Sequence, residues 1–444
     1  MATPMYSCGS CNIEDNRLFS GPSACGRARV TSSVEVAPCW SEAGFGGAGA
    51  AGVSTDMSGG KIASVRWRWS ISAAGEYPVN NRGQVRRHGL PPPVPPVIQR
   101  VAFPMKTHFA GLDIGGSTIK CLLVDAAGEP AGPIVEVRSF VKDGYRRTFG
   151  QLREAMAKLA ENAGIRVEEI AAVGLDVPAP CSHGVVWGKA NLADDWVGTD
   201  IRGEFSKECG KPVIMTNDCN AAAFGEWMHR PEHAGGLLYV APGTGLGGGL
   251  VLPGGILYEG NNGLALEVGD LSVPRFEDGE LPVDGRGRSG CLEGWVSLMA
   301  LRRQLGKALT RPENAAHPLA LSEAPIEEKA FQLRDFAEHG DPLAREIFAL
   351  QANVLGHGLG DLASILDPGL IAIGGGLSET GFRDWFIGEV RKGFAERAML
   401  PYQRCPLPPH EPTTRIEWAI GGDGAAAYGS ARMAMQLVLE NHHA

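Results

Sequence analysis

The chain has 444 residues, 44% of them hydrophobic and 20% charged, and a formal net charge of −9. This is the composition of an ordinary globular protein, the negative balance lends no support to nucleic-acid binding, and no apolar run approaches the ~18–20 residues of a membrane span. The opening residues carry neither a basic n-region nor an apolar h-region, so no secretory signal is expected, and ten scattered cysteines read as reduced thiols of a cytoplasmic protein.

Residues 1–105 differ from the rest. Gly44-Phe-Gly-Gly-Ala-Gly-Ala-Ala-Gly52 and Pro91-Pro-Pro-Val-Pro-Pro96 interrupt them, and their apolar residues keep no sustained period of 3.6 or 2. They read as a disordered extension, or as sequence ahead of a true start at Met105, whose removal costs neither stability nor activity. Cys8-x-x-Cys11 with Cys25 and Cys39 lacks the paired spacing of a zinc site.

From Phe109 the pattern sharpens. Apolar runs at 109–114 and 119–124, joined by Gly115-Gly-Ser-Thr118, predict a hairpin, and 134–137 a third strand. Thr148-x-x-Gln151 has capping-box spacing, with Phe149, Leu152, Met156, Leu159 and Ala163 on one helical face and Gly164 as the stop. A strand returns at 170–175. A second unit is expected to open near Pro212-Val-Ile-Met-Thr216, with strands at 237–241 and 249–252. Helices are expected through 325–355 and 359–366, a short strand at 370–373, and an alanine-rich closing helix at 425–439. These elements make two α/β lobes around a cleft: 106–216 completed by the helix 423–441, and 217–422.

Three glycine-rich turns each follow an apolar strand: Asp113-Ile-Gly-Gly-Ser-Thr118, Gly243-Thr-Gly-Leu-Gly-Gly-Gly249 and Gly374-Gly-Gly-Leu-Ser378. Glycine lets the backbone approach a ligand closely and point successive N–H groups at one anion. One such turn is equally an ordinary hairpin. Three in this order, the first opened by an acid, point to phosphate.

This order resembles the actin-like sugar kinases and, within them, the ROK family of repressors, uncharacterised reading frames and sugar kinases. Thr216-Asn-Asp-Cys-Asn-Ala-Ala222 is similar to the family's Asn-Asp-x-Asn-Ala-Ala segment, and Gly290-Cys-Leu-Glu293 to its Gly-Cys-Leu-Glu. Leu266-Glu-Val-Gly269 is similar to Gly-Glu-Ile-Gly-His up to the last residue, and Leu366-Asp-Pro-Gly-Leu-Ile-Ala-Ile-Gly-Gly-Gly376 to the adenosine-side strand and turn. The likeness runs from about Phe109 to the final helix.

The resemblance implies an α/β, two-lobed actin-like ATPase (ribonuclease H-like) fold with a central cleft, here preceded by the N-terminal extension. It implies a glucokinase-type enzyme that moves the terminal phosphate of ATP, with Mg²⁺, to a hexose. Asp218 then matches the catalytic base, and Asn217, Glu267, Asp270 and Glu293 the sugar-binding positions. Asp113 matches the acid that faces the metal–phosphate complex through water. Gly115, Gly116, Ser117, Gly243, Thr244 and Gly245 would surround the phosphates, and Gly374, Gly375 and Gly376 the nucleoside. A homodimer is expected, with no nucleic-acid or membrane partner.

The chemistry is consistent with the residue types. Phosphoryl transfer needs a positioned hydroxyl, a proton acceptor beside it, and donors and positive charge on the phosphates. Carboxylates and amides suit sugar hydroxyls. Taken singly, Glu293 reads equally as a helix N-terminal acid, and Asn217 with Asp218 as a cap for a helix beginning near Asn220.

The likeness has gaps. Many members bind structural zinc through the His of Gly-His and three cysteines, but the matching positions are Asp270, Asp284, Arg286 and Cys291. That set does not suit zinc, so no structural zinc is expected, and Asp284 with Arg286 reads as a surface ion pair. Asp270 replaces a His that touches the sugar in relatives, and an ionised acid accepts hydrogen bonds but cannot donate them. Asn191 with Trp196-Val-Gly-Thr-Asp200 resembles relatives that use polyphosphate, which leaves the donor open. A sugar-responsive repressor would need a helix–turn–helix ahead of Asp113, where glycine and proline stand instead. Trp187 and Trp196 are assigned no role.

Overall fold

The computed structural model describes residues 107–188, 192–230 and 235–441. The expectations for residues 1–105, and for Asn191, lie outside them. In chain order come β1 (His108–Ile114), β2 (Thr118–Val124), β3 (Val135–Arg138), α1 (Tyr145–Ala163), β4 (Ile170–Val177) and the short pair β5 (Cys181–Ser182) and β6 (Val185–Val186). Then follow α2 (Ile201–Cys209), β7 (Val213–Asn217), α3 (Asp218–Met228), β8 (Leu237–Pro242), β9 (Leu246–Leu252) and β10 (Ile256–Leu257). A helical stretch holds α4 (Leu298–Leu309), α5 (Pro318–Leu321), α6 (Ile326–Glu338) and α7 (Pro342–Leu366). The chain closes with β11 (Leu370–Ile373), α8 (Arg383–Arg397), α9 (Leu400–Gln403), β12 (Arg415–Trp418) and α10 (Ala425–Asn441).

The strands form two five-stranded sheets, ordered β3-β2-β1-β4-β7 and β10-β9-β8-β11-β12. Each is the same motif: three antiparallel strands, then two more parallel to the first. The turns Gly115–Thr118 and Gly243–Gly245 therefore stand at equivalent places in the two halves.

Helices cover both faces of each sheet, which is why the central strands are apolar throughout rather than alternating. On one face of the first sheet Leu112, Ile119 and Leu175 pack with Phe149 and Leu152 of α1 and Phe205 of α2. On the other lie Ala427, Ala431 and Ala434 of α10. A Cβ on Gly111 would sit 1.8 Å from Ala427 O, and one on Gly174 1.9 Å from Ser430 O, so glycine in these strands is what lets α10 lie so close. The second sheet packs one face on α3 and the start of α10, through Phe224, Trp227, Tyr239 and Ala425. Its other face meets α4, α6, α7 and α8.

Two sequence expectations change. The strand at Pro212-Val-Ile-Met-Thr216 does not open the second unit: β7 pairs with β4 as the edge of the first sheet, from Val173↔Val213 to Val177↔Asn217. The Thr148-x-x-Gln151 capping box does not form either. Helix α1 starts at Tyr145 with Gly144 at its N-cap, and the buried Thr148 Oγ1 donates to Ser139 O at 2.8 Å. Gly164 does end α1, in the left-handed conformation with φ 66°.

Candidate active site

Asp113 lies near the end of β1, and the parallel pairing of β1 with β4 sets Asp176 beside it. Asp176 is fully buried. Ser430 Oγ donates to its Oδ2 at 2.7 Å, and its Oδ1 has no hydrogen-bond partner. Burial and then the charge of Asp113 push Asp176 well above the ordinary carboxylate range. Asp113 is raised as well, chiefly by burial, with Lys120 pulling the other way.

Asp218 is the first residue of α3, directly after β7. Burial, and next the negative charge of Asp113, push its carboxyl up to about 6. A carboxyl tuned so is ionised at neutral pH yet still holds a proton well. Asn217 is the helix cap: its Oδ1 accepts from Cys219 N at 2.9 Å and Asn220 N at 3.4 Å. The cap reading therefore belongs to Asn217, and the helix begins at Asp218 rather than near Asn220.

Asp113, Asp218, Gly374, Gly375 and Gly376 line one cleft of about 250 Å³. So does Lys120, which the sequence analysis did not single out. Lys120 is the β2 partner directly opposite Asp113, and its Nζ lies 2.8 Å from Asp423 Oδ2. The one signal for it was hairpin register, since the turn at 115–118 fixes residue 120 across from 113.

The first two glycine turns lie outside that lining. Gly115 N donates to Thr118 O at 2.9 Å and closes the β1–β2 turn, leaving Gly116 and Ser117 exposed. In the β8–β9 turn Gly243 N donates to Gly245 O at 2.8 Å, and Gly243 and Thr244 are exposed. Leu298 N donates to Gly243 O at 2.9 Å, which sets the N-terminus of α4 behind this turn. Glu293 is not a helix N-terminal acid. Its Oε2 accepts from Leu246 N at 2.9 Å, and a Cβ on Gly245 would lie 2.5 Å from that oxygen. At the third turn Gly374 N donates to Val240 O at 2.9 Å, and Gly375 needs φ 78°.

Glu267, Asp270 and Glu293 come together because two loops run side by side: Leu292 N donates to Leu271 O at 2.8 Å and Glu293 N to Gly269 O at 3.0 Å. Leu266, where the family segment has Gly, is held left-handed at φ 65°. Glu267 is raised by burial, with Arg286 opposing and Asp270 and Glu293 adding. Its charge also reaches Cys219, whose thiol is pushed up first by burial, then by Asp218 and by Glu267.

Asp270 is paired with Arg286 and Arg288. Asp284 does pair with Arg286, whose Nε lies 3.9 Å from its Oδ2, but not at the surface as the sequence suggested. Its side chain is buried, and its main partner is Arg288, with Nε at 3.0 Å and Nη2 at 2.9 Å. It also accepts the N–H groups of Arg286 and Arg288 at 2.8 Å each and the Cys291 thiol at 3.4 Å. Burial alone would raise Asp284, but these donors hold it down at about 2. Trp196 is a core residue whose Nε1 donates to Val141 O at 3.1 Å, and Trp187 is half exposed.

Among the described residues no three or more His, Cys, Asp or Glu side chains are placed to hold a metal by themselves. Mg²⁺ needs no such cage, being held by one or two carboxylates together with substrate phosphates and water. Asp113, in one cleft with Lys120 and the Gly374–Gly376 turn, fits that mode.

The sequence profile of the ROK family matches residues 109–436. The chain belongs to the ROK family. It is 33% identical to a glucokinase of Streptomyces coelicolor over 295 residues, 64% of this chain and 86% of the relative. It is 26% identical to a xylose repressor of Caldicellulosiruptor bescii over 296 residues, 65% of this chain and 70% of the relative. Among solved structures it is similar to a ROK family glucokinase from Streptomyces griseus in complex with glucose and AMPPNP, with 29% identity and a TM-score of 0.59, covering 74% of this ROK chain and 99% of that one. The expected two-lobed actin-like fold holds. No helix among the described residues is long and apolar enough to cross a membrane.

Proposed function

We propose that this ROK protein is a sugar kinase that transfers the terminal phosphate of ATP to a hydroxyl of a glucose-like hexose, with Asp218 as the general base. The observation that carries it is Asp218 itself: a carboxylate at the start of α3, raised to about 6, in one cleft with Asp113, Lys120 and the Gly374–Gly376 turn.

The sugar sits among Asn217, Glu267, Asp270 and Glu293, which fix one hydroxyl against Asp218. Asp218 orients that hydroxyl and takes its proton as the phosphoryl group transfers, so that much of the benefit is alignment. Lys120 exchanges Asp423 for the phosphates and offsets their charge. The turns at Gly115–Ser117 and Gly243–Gly245 present those N–H groups that do not close the turns themselves, the second reinforced by the N-terminus of α4. Gly374–Gly376 receives the nucleoside. Mg²⁺, when bound with ATP, would supply positive charge to the phosphates, and Asp113 is the residue that would hold it. In this reading 106–216 with 423–441 closes against 217–422, and copies of the chain pair as a homodimer, which light scattering checks.

The test is a coupled assay with glucose, mannose and N-acetylglucosamine, run in parallel with ATP and polyphosphate. ATP-dependent turnover of a hexose is expected, and Asp218→Asn should lower kcat roughly 10²-fold or more. Near-normal kcat in Asp218→Asn removes the base from this scheme, and a polyphosphate-only activity replaces its donor.

A further inference from the structure

We infer that Arg286 is the specificity-determining donor of the sugar site, held in place by the chain Asp284, Arg288, Asp270. The inference rests on the sugar-kinase reading and goes beyond it by naming the group that discriminates between hexoses.

A sugar hydroxyl both donates and accepts, whereas ionised carboxylates only accept. The proposed sugar site gathers three acids, and Asp270 and Glu293 both bear on Glu267. Such a site needs a cation to offset their repulsion and a donor to meet hydroxyl or acyl oxygens. Arg286 supplies both. Its Nη1 is 3.7 Å from Glu267 Oε2, and its side chain is 45% exposed, so N–H groups of the guanidinium remain open to a ligand beside Glu267.

A long, exposed arginine is a poor selector unless it is fixed, because ordering its side chain costs entropy. Here it is fixed. The fully buried Asp284 carboxylate grips Arg288 through two nitrogens, at 3.0 and 2.9 Å, and the backbone N–H of Arg286 at 2.8 Å. Arg288 and Arg286 then share one oxygen of Asp270. The chain of contacts runs from a buried anchor outward to Glu267. Asp270 thereby positions Arg286, so the selecting group at this place is a donor rather than an acceptor.

Steady-state kinetics on glucose, mannose, 2-deoxyglucose and N-acetylglucosamine, with ATP saturating, separate the roles. Arg286→Met should lower kcat/KM about tenfold or more for the preferred sugar and change the ratios across the panel. Its KM for ATP should stay within about twofold, and Arg286→Lys should recover part of the loss. Arg288→Met, which frees Arg286 from its anchor, should raise KM for the preferred sugar and move the ratios part of the way toward those of Arg286→Met. If Arg286→Met does not fold, Arg286→Gln is measured in its place. Unchanged KM and unchanged ratios in the Arg286 variant overturn the inference, as does an equal loss on every sugar, which is the mark of a merely structural role. If the wild-type protein phosphorylates no sugar with ATP or polyphosphate, the kinase reading falls and this inference with it. An active wild type beside an indifferent Arg286→Met removes this inference alone.

Discussion

Asp218 sits where folding and chemistry want different things. Its carboxyl is raised to about 6 by burial and by Asp113, against an ordinary value of 3.8. The fold therefore prefers the protonated form: the stability it contributes is fully present below about pH 4 and is lost as pH rises through about 6. Above that, the ionised group costs the fold roughly 1–3 kcal/mol. Asp218→Asn keeps the shape and drops the charge, so its Tm should exceed that of wild type at pH 7.5 and match it at pH 4, while kcat collapses. Calorimetry at the two pH values checks this. A Tm below that of wild type at pH 7.5 would mean that Asp218 serves as a stabilising helix-end acid and nothing more. At this scale the sequence carried the acids and the glycines, because each stands in a recognisable local motif. It did not carry Lys120 or Arg288, and it carried Arg286 only as an ion-pair partner of Asp284. Lys120 matters through the strand pairing that sets it opposite Asp113, and the two arginines through a loop whose partners are up to 19 residues away.

The elements most legible in the sequence were those whose own residues decide them. Both glycine-turn hairpins, the α1 face and the closing helix follow from periodicity and punctuation. Helix α8 was missed: Gly388 and Gly393 dilute its pattern, although Phe386, Val390 and Phe394 are buried. Gly393 is there for tertiary reasons, since a Cβ would lie 2.3 Å from Asn353 O of α7. The capping box failed because Thr148 is used for burial against Ser139, and a local motif cannot know that. The packing of α3 on α10 has the same origin. A Cβ on Gly225 would lie 2.0 Å from Ala425 O and one on Gly429 1.9 Å from Ala221 O, so the two backbones touch. Gly429→Val must push the helices apart along their whole contact, and about 3 kcal/mol of destabilisation is expected. Urea unfolding measures it, and a loss under 1 kcal/mol would mean that α10 can shift at little cost.

Across the whole molecule the two sheets repeat one topology, and α3 and α10 carry the packing from one to the other. Sequence reading expected two α/β units, and it took the run at 212–216 as opening the second while drawing the lobe boundary after it, because β7 as an apolar run does not say which sheet it joins. The chain leaves β12 for α10 through residues 419–424, and Gly422 and Asp423 of this passage line the cleft. Glu226, fully buried in α3, holds the passage. Its carboxylate accepts from Ile420 N at 2.9 Å, Gly421 N at 2.9 Å and Arg230 Nε at 2.6 Å. Arg230 in turn reaches Glu417 Oε2 at 2.6 Å and Trp418 O at 2.9 Å. The two partners are unequal. Glu226→Gln removes the charge that three donors share and turns amide hydrogens toward other donors, which should cost about 3 kcal/mol. Arg230→Met leaves Glu226 with its backbone donors and should cost about 1–2 kcal/mol. Because the passage carries Asp423, the partner of Lys120, Glu226→Gln should also raise KM for ATP more than KM for the sugar. Urea unfolding at pH 7.5 and steady-state kinetics on both variants test this. The reverse order of stabilities would mean that Arg230 carries the junction through Glu417 and Trp418, with Glu226 secondary.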